Sequence, residues 1–249
     1  MGVEVMPIPI LYEDNHLLAV VKPPGVLSQE DETGDPDMLT LLKQDLKERY
    51  DKPGNVFLGL VHRLDRTVGG VMLFAKTSKA ASRLSEAVRS RSFGKTYVCV
   101  VQGVPAKPSA RLTNFIRKDG KLNVVTVYDK PAPEAKEAVL EYEVAAASGR
   151  HSLVAVRLHT GRPHQIRAQM AHIGCPLVGD LKYGASKASG MADIALWSTS
   201  VTVPHPVSKE SMSFRSVPDT SGAWGWWSPG QLEAASAMPA IETRGEVDR

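Results

Sequence analysis

The sequence predicts an α+β domain built on a mixed, largely antiparallel central sheet with flanking helices. Two observations carry this. Short β-branched and apolar runs come in pairs around turn signals, the mark of hairpins. Segments with helical spacing are few, and they do not alternate regularly with strands as a doubly wound parallel sheet requires.

The elements follow in order. Ile10 to Tyr12 and Leu17 to Lys22 read as strands joined by a turn at Asp14-Asn15, and Pro23-Pro24-Gly25 stops the second. Asp35-Pro36 predicts a helix start, with Asp35 as N-cap and Leu39, Leu42 and Leu46 following at helical spacing. Val56 to Val61 is a short apolar strand leading to His62, and Val71 to Lys76 is a second, buried one. Thr77 or Ser78 caps a helix whose apolar face is Ala81, Leu84, Ala87 and Val88. Thr96 to Val101 is a strand ended by Gly103. Two hairpins come next, one around Asp119-Gly120 and one around Ser148-Gly149-Arg150. A helix from His164 to Ile173 is closed by Gly174, and Ile194 to Val203 is one more strand. From about Asp219 the composition shifts to Ser, Gly, Ala and Pro, with Trp224, Trp226 and Trp227 able to anchor the segment on the body. After about Ser236 the chain is expected to be disordered.

With 43% hydrophobic and 23% charged residues over 249 positions, the chain can bury a substantial core. A net charge of +3 permits nucleic-acid binding without requiring it. Cys99 and Cys175 form neither a disulfide framework nor a zinc site, which fits a reducing compartment. The N-terminus lacks the basic start and apolar core of a signal peptide, and no apolar run is long enough to span a bilayer. The expectation is a cytoplasmic protein.

Three segments could carry chemistry. His62-Arg63-Leu64-Asp65-Arg66 sets one acid between two guanidinium groups, with Gly69-Gly70 as the turn into the next strand. The plain alternative is a surface loop with ion pairs. A metal site from His62 and Asp65 is weaker, because the two make half a site and no other cluster completes it. In Lys95-Thr96-Tyr97 the tyrosine, by itself, reads as a core residue. In Gly161 to Arg167, helix N-terminal amides with Arg162 and Arg167 make an anion site. There His164 fits a general base, a cap or a phosphate contact equally.

Together these segments resemble the RluA-type pseudouridine synthases. Leu18-Ala19-Val20-Val21-Lys22-Pro23-Pro24-Gly25 is similar to that family's first motif, and His62 to Arg66 to its catalytic motif. Lys95-Thr96-Tyr97-Val98 resembles its tyrosine motif. Gly161 to Arg167, with Gly174, Pro176, Gly179-Asp180 and Tyr183-Gly184, resembles its third. The likeness runs from about Ile10 to about Lys209. Thr67-Val68-Gly69-Gly70 departs from it, lacking the usual serine, and Cys175 stands where histidine is common.

The resemblance implies a pseudouridine synthase-like fold with an RNA-binding cleft. It also implies an isomerase that breaks the C1′–N1 bond of a uridine and rejoins the base through C5. Asp65 is then the carboxylate acting on the sugar, Tyr97 the ring stacked on the target base, and Arg167 the positive partner of Asp65. Leu196 is the apolar residue across the base, and Arg63 the wedge filling the vacated stack. Arg66, Arg162 and His164 are phosphate contacts. No cofactor and no metal are expected. The partner is RNA, ribosomal or transfer, and no membrane. A monomer is the simplest expectation. Residues 1–218 form the catalytic domain without an S4 domain, and 219–249 a C-terminal extension. The competing readings are a non-catalytic RNA-binding module on the same scaffold and a nucleoside-type glycosidase.

Overall fold

The structure, a computed structural model, describes residues 8–186 and 193–237. The expectations for the extreme N-terminus and for the tail beyond Ala237 lie outside the described residues. The chain forms two compact units. The first joins Met1–Lys95 to Leu196–Pro218, and the second joins Thr96–Ala195 to Asp219–Arg249. Each holds a largely antiparallel sheet, so the α+β expectation stands. No described helix is long and apolar enough to cross a membrane.

In the first unit, β1 (Ile10–Glu13) and β2 (Leu17–Lys22) form the expected hairpin. Its turn is closed by Asp14, whose Oδ1 accepts from the amides of His16 (2.7 Å) and Leu17 (2.6 Å). Helix α1 (Met38–Arg49) starts later than the Asp35-Pro36 signal predicts. Asp37 is the N-cap, accepting from the Thr40 amide at 3.1 Å, while Asp35 pairs with Arg66 at 2.7 Å. The expected strand at Val56 to Val61 shrinks to β3 (Gly59–Leu60).

β4 (Gly69–Ala75) is buried at every residue. It pairs antiparallel with β2 and β3 and parallel with β10 (Leu196–Pro204), and β10 pairs antiparallel with β11 (Ser211–Arg215). Helix α2 (Ser78–Arg89) is capped by Thr77, whose Oγ1 accepts from the Ala80 amide. It buries Ala80, Leu84 and Ala87 against Val71 and Leu73 of β4 and Val201 of β10. Val88 is exposed, because the buried stripe begins at Ala80 and turns away from it. Losing the Leu84 side chain from this layer costs about 2–5 kcal/mol.

Gly69 and Gly70 are not the turn; they are the first residues of β4. A Cβ on Gly69 would collide with the Trp197 ring. Gly70 has φ +112, and a Cβ there would lie 2.6 Å from the Ser198 nitrogen. These glycines are required because β10 passes too close for any side chain.

The second unit's sheet has the order β5-β9-β8-β6-β7. Its strands are β5 (Gly94–Gln102, from Thr96 onward), β6 (Ser109–Asp119), β7 (Val124–Tyr128), β8 (Lys136–Ser148) and β9 (His151–Leu158). Both expected hairpins form, and β8 also pairs antiparallel with β6. Helix α3 (Gln165–His172) lies on this sheet, with Ala168 packed among Ile116, Val125 and Ala138. Its C-terminus is followed by Gly174 at φ +80, as expected. The C-terminal segment is ordered through α4 (Pro229–Ala237), which contacts β8 and β9. Trp227 is buried and Trp226 stacks on His151 with centroids 4.3 Å apart, so the tryptophans do anchor it.

Gly70→Ala is expected to destabilise the protein by about 3 kcal/mol or more, since strain at positive φ and a collision with backbone add. Chemical denaturation measures this. An unchanged midpoint would mean that β4 and β10 do not approach as described.

Candidate active site

The first unit carries Asp65 on a tight turn. The Val68 amide donates to the Asp65 carbonyl at 3.0 Å, which closes a turn over Asp65-Arg66-Thr67-Val68 before β4 begins. The backbone on both sides of Asp65 is tied down. Ser28 Oγ accepts from the Leu64 amide (3.1 Å) and donates to the Leu64 carbonyl (2.7 Å). The Arg66 carbonyl accepts from Lys22 Nζ (3.0 Å) and from the Gly25 amide (2.8 Å). Lys22 is fully buried and also donates to the Pro23 carbonyl at 2.9 Å. A buried ammonium is tolerated only when its donors are satisfied, so this contact is strongly directional. Asp65 itself is half-buried.

Arg63 is exposed. The Arg66 guanidinium reaches back, donating from Nε to the Gly25 carbonyl (3.0 Å) and pairing with Asp35. Both contacts clamp the turn, and the side chain remains largely exposed. Leu196 is buried at the start of β10. It stands one residue before Trp197, the register partner of Gly69, and so at the end of β4 that Asp65 precedes.

His62 is a structural member of the motif. Its Nε2 accepts from the Leu73 amide at 2.9 Å, pinning the chain before Asp65 to the strand after it. Burial, reinforced by the positive charge of Lys95, pushes its pKa down to about 3, so the ring is neutral. Burial also lowers the pKa of Lys95.

The second unit carries Tyr97, Arg162, His164 and Arg167. Tyr97 is buried in β5. Arg167 sits in the first turn of α3, but it is turned onto Asp180 instead of contributing to an anion site at the helix start. Nε donates to Asp180 Oδ2 at 2.6 Å and Nη2 to Oδ1 at 2.9 Å. Its guanidinium carbon lies 5.2 Å from the centre of the Tyr183 ring. The Tyr183 hydroxyl accepts from the Val125 amide (2.9 Å) and shares a hydrogen bond with His164 Nδ1 (2.8 Å).

His164 occupies the N-cap position in the left-handed region, at φ 49, and its side chain caps nothing. Gln165 organises the loop instead. Its Oε1 accepts from Thr160 Oγ1 (2.8 Å) and the Arg162 amide (3.0 Å), and its Nε2 donates to the Val139 carbonyl (3.1 Å). Arg162 Nε donates to the Glu137 carbonyl at 2.8 Å. Gln169 holds α3 to the sheet through Asn114 Oδ1 (2.7 Å) and the Ala138 carbonyl (3.2 Å).

The structure thus places Arg63, Asp65, Arg66 and Leu196 in the first unit and Tyr97, Arg162, His164 and Arg167 in the second. Sequence reasoning assigned no role to Lys22, Ser28, Asp180 or Tyr183. Lys22, Asp180 and Tyr183 lie inside the motifs quoted above, which was the available signal. Among the described residues, no three His, Cys, Asp or Glu side chains gather as a metal site.

Comparison with known proteins identifies the family. The family model described as RNA pseudouridylate synthase matches residues 16–172, a span that holds Asp65, Tyr97 and Arg167. The chain is 36% identical over 181 residues to ribosomal large subunit pseudouridine synthase D of Yersinia pestis, covering 72% of this chain and 53% of that protein. It therefore spans about half the length of that relative. An uncharacterized RNA pseudouridine synthase of Bacillus subtilis strain 168, YjbO, is 33% identical over 85% of this chain and 72% of its own length. Among solved structures, human RNA pseudouridylate synthase domain containing 1 shares the fold, with a TM-score of 0.70 and 21% identity. That match covers 97% of this chain and 100% of the human one.

The depressed pKa of His62 sets a pH dependence. Above about pH 6.5 the ring is neutral whether the chain is folded or unfolded, and titration contributes nothing. Below that, the unfolded chain binds a proton that the folded chain refuses. Stability from this site therefore falls by about 1.4 kcal/mol per pH unit, until the folded ring titrates near pH 3. Denaturation between pH 6.5 and 5 is expected to show a steeper loss for the wild type than for His62→Gln, whose amide oxygen still accepts from Leu73 but does not titrate. Equal slopes would contradict a neutral, partly buried His62.

Proposed function

Because the chain belongs to the RNA pseudouridylate synthase family, we propose that it isomerises specific uridines in structured RNA to pseudouridine, with Asp65 as the catalytic carboxylate. Ribosomal and transfer RNA are the candidate substrates, in the cytoplasm. The observation that carries this reading is the turn at Asp65. Its flanking carbonyls and amides are anchored by Lys22, Gly25 and Ser28, so the carboxylate is presented from a fixed backbone. We assign residues 1–218 to the catalytic domain and 219–249 to a C-terminal extension.

The reaction is an isomerisation: the C1′–N1 bond breaks, the uracil turns, the C1′–C5 bond forms, and C5 loses a proton while N1 gains one. The sequence of bonds needs no redox partner. An ionised Asp65 serves the sugar by adding to C1′ or by taking the 2′ hydrogen. The target base must leave its stack before either step. In this reading Arg63, exposed and two residues before Asp65, fills the gap. Tyr97 stacks on the extruded base, an interaction worth about 1–3 kcal/mol, and Leu196 covers its other face. Arg167 is the positive partner that holds the Asp65 anion in position. Arg162 and His164 meet phosphates on the loop before α3, and Arg66 does so with the exposed part of its guanidinium.

Two outcomes test this. Asp65→Asn is expected to fold and bind RNA as the wild type does, yet form no pseudouridine when nucleosides from treated RNA are resolved by mass spectrometry. Wild-type turnover by that variant would refute the assignment. Arg162→Ala is expected to weaken RNA binding and to reduce the slope of log affinity against log salt by about 1. An unchanged slope would remove Arg162 from the phosphate contacts.

A further inference from the structure

We propose that Asp180 is a positioning residue for the reaction: with Tyr183 it sets the orientation of the Arg167 guanidinium. The inference rests on the proposed function, which gives Arg167 its role beside Asp65.

Asp180 grips one edge of the guanidinium through two parallel bonds of 2.6 and 2.9 Å. Bidentate pairing fixes the plane of the fork as well as its place. The same group lies over the Tyr183 ring, 5.2 Å from ring centre to guanidinium carbon. Asp180 is the N-cap residue of the short 3-10 turn Leu181–Tyr183, and the amides of Tyr183 and Ala185 both donate to its carbonyl at 3.1 Å. Tyr183 is fixed at its far end by Val125 and His164. The guanidinium is thus gripped at one edge and lies over a ring carried by the same short piece of chain.

Energetics favour positioning over stability as the reason for this pair. Asp180 is 1% exposed and the Arg167 side chain 7%. Two charges taken this far out of water contribute little net stability, and a hydrophobic pair of similar volume is often as stable. What such a pair supplies is a fixed direction. The two bonds use two of the five guanidinium donors, so Asp180 aims the remaining edge without occupying it.

The test uses the full chain, with kcat and KM measured on RNA and the folded fraction checked by circular dichroism at the assay temperature. Asp180→Asn keeps the shape but loses the charge and one of the two bonds. Its kcat is expected to fall on the order of 100-fold, the scale of an ångström-sized misplacement, with KM within about twofold. In an Arg167→Met background the same change is expected to alter kcat less than about twofold, since the group it aims is gone. A wild-type kcat for Asp180→Asn, or a fall that persists in the Arg167→Met background, overturns the proposal. Should Asp180→Asn not fold, Asp180→Glu retains the charge and displaces it by one methylene. It is expected to lose kcat with KM kept, and a wild-type kcat there overturns the proposal equally. Asp65→Asn measured alongside separates the two readings. Activity in that variant refutes the proposed function. An inactive Asp65→Asn beside a fully active Asp180→Asn refutes only the positioning role.

Discussion

The ammonium of Lys22, buried at the end of β2, ties the strand system of the first unit to the turn that carries Asp65. It donates to the Arg66 carbonyl, one residue past the acid, while its own backbone is the register partner of Gly70 in β4. On the other side of Gly70 lies Ser198 of β10, so Lys22, Gly70 and Ser198 form one row across three strands. The absence of side chains at Gly69 and Gly70 lets β10 close on β4, and that closure sets Leu196 at the end of the sheet from which Asp65 emerges. A side chain at Gly70 would push β10 away from this row. A residue without a donor at position 22 would leave the Arg66 carbonyl with the Gly25 amide alone and take the ammonium contact from the Pro23 carbonyl.

The second unit solves a similar problem with a helix in place of a turn. α3 is short and has little amphipathic character of its own, and polar contacts hold it where a longer helix would rely on packing. Gln169 binds it to β6 and β8, Gln165 gathers the loop before it, and Asp180 holds Arg167. Every one of these side chains is buried. Such a network has little tolerance for partial satisfaction, so it specifies one arrangement of α3 on its sheet. That is what a residue needs if its task is to present a charge at a fixed angle.

Much of the fold was readable from the sequence wherever local chemistry decides it. The Asp14 turn, the Thr77 cap, the two hairpins of the second unit and the Gly174 stop all depend on residues within a few positions of one another. The failures have a common cause. Asp35 and Asp37 are both good caps on local grounds, and only the distant Arg66 decides between them by engaging Asp35. Gly69-Gly70 reads locally as a turn, because a sequence does not distinguish a glycine needed for its backbone freedom from one needed for another strand's approach. Val56 to Val61 has strand-forming residues, but only Gly59–Leu60 finds a partner in β4. β11 and α4 lack a strong apolar period and were not anticipated. The site divides the same way. The residues of the catalytic, tyrosine and loop segments were given roles, whereas the supports, Lys22 and Asp180 among them although they lie in motifs, act across 44 residues for Lys22, 36 for Ser28 and 13 for Asp180. Lone side-chain contacts at such range leave no periodic trace.

The central claim is that this chain makes pseudouridine in cellular RNA through Asp65. The most direct measurement is a map of pseudouridines in ribosomal and transfer RNA from cells lacking the gene, complemented with the wild-type chain or with Asp65→Asn. At least one uridine is expected to be unmodified without the gene, restored by the wild type and not by the variant. Identical maps in all strains, or restoration by Asp65→Asn, would contradict the account.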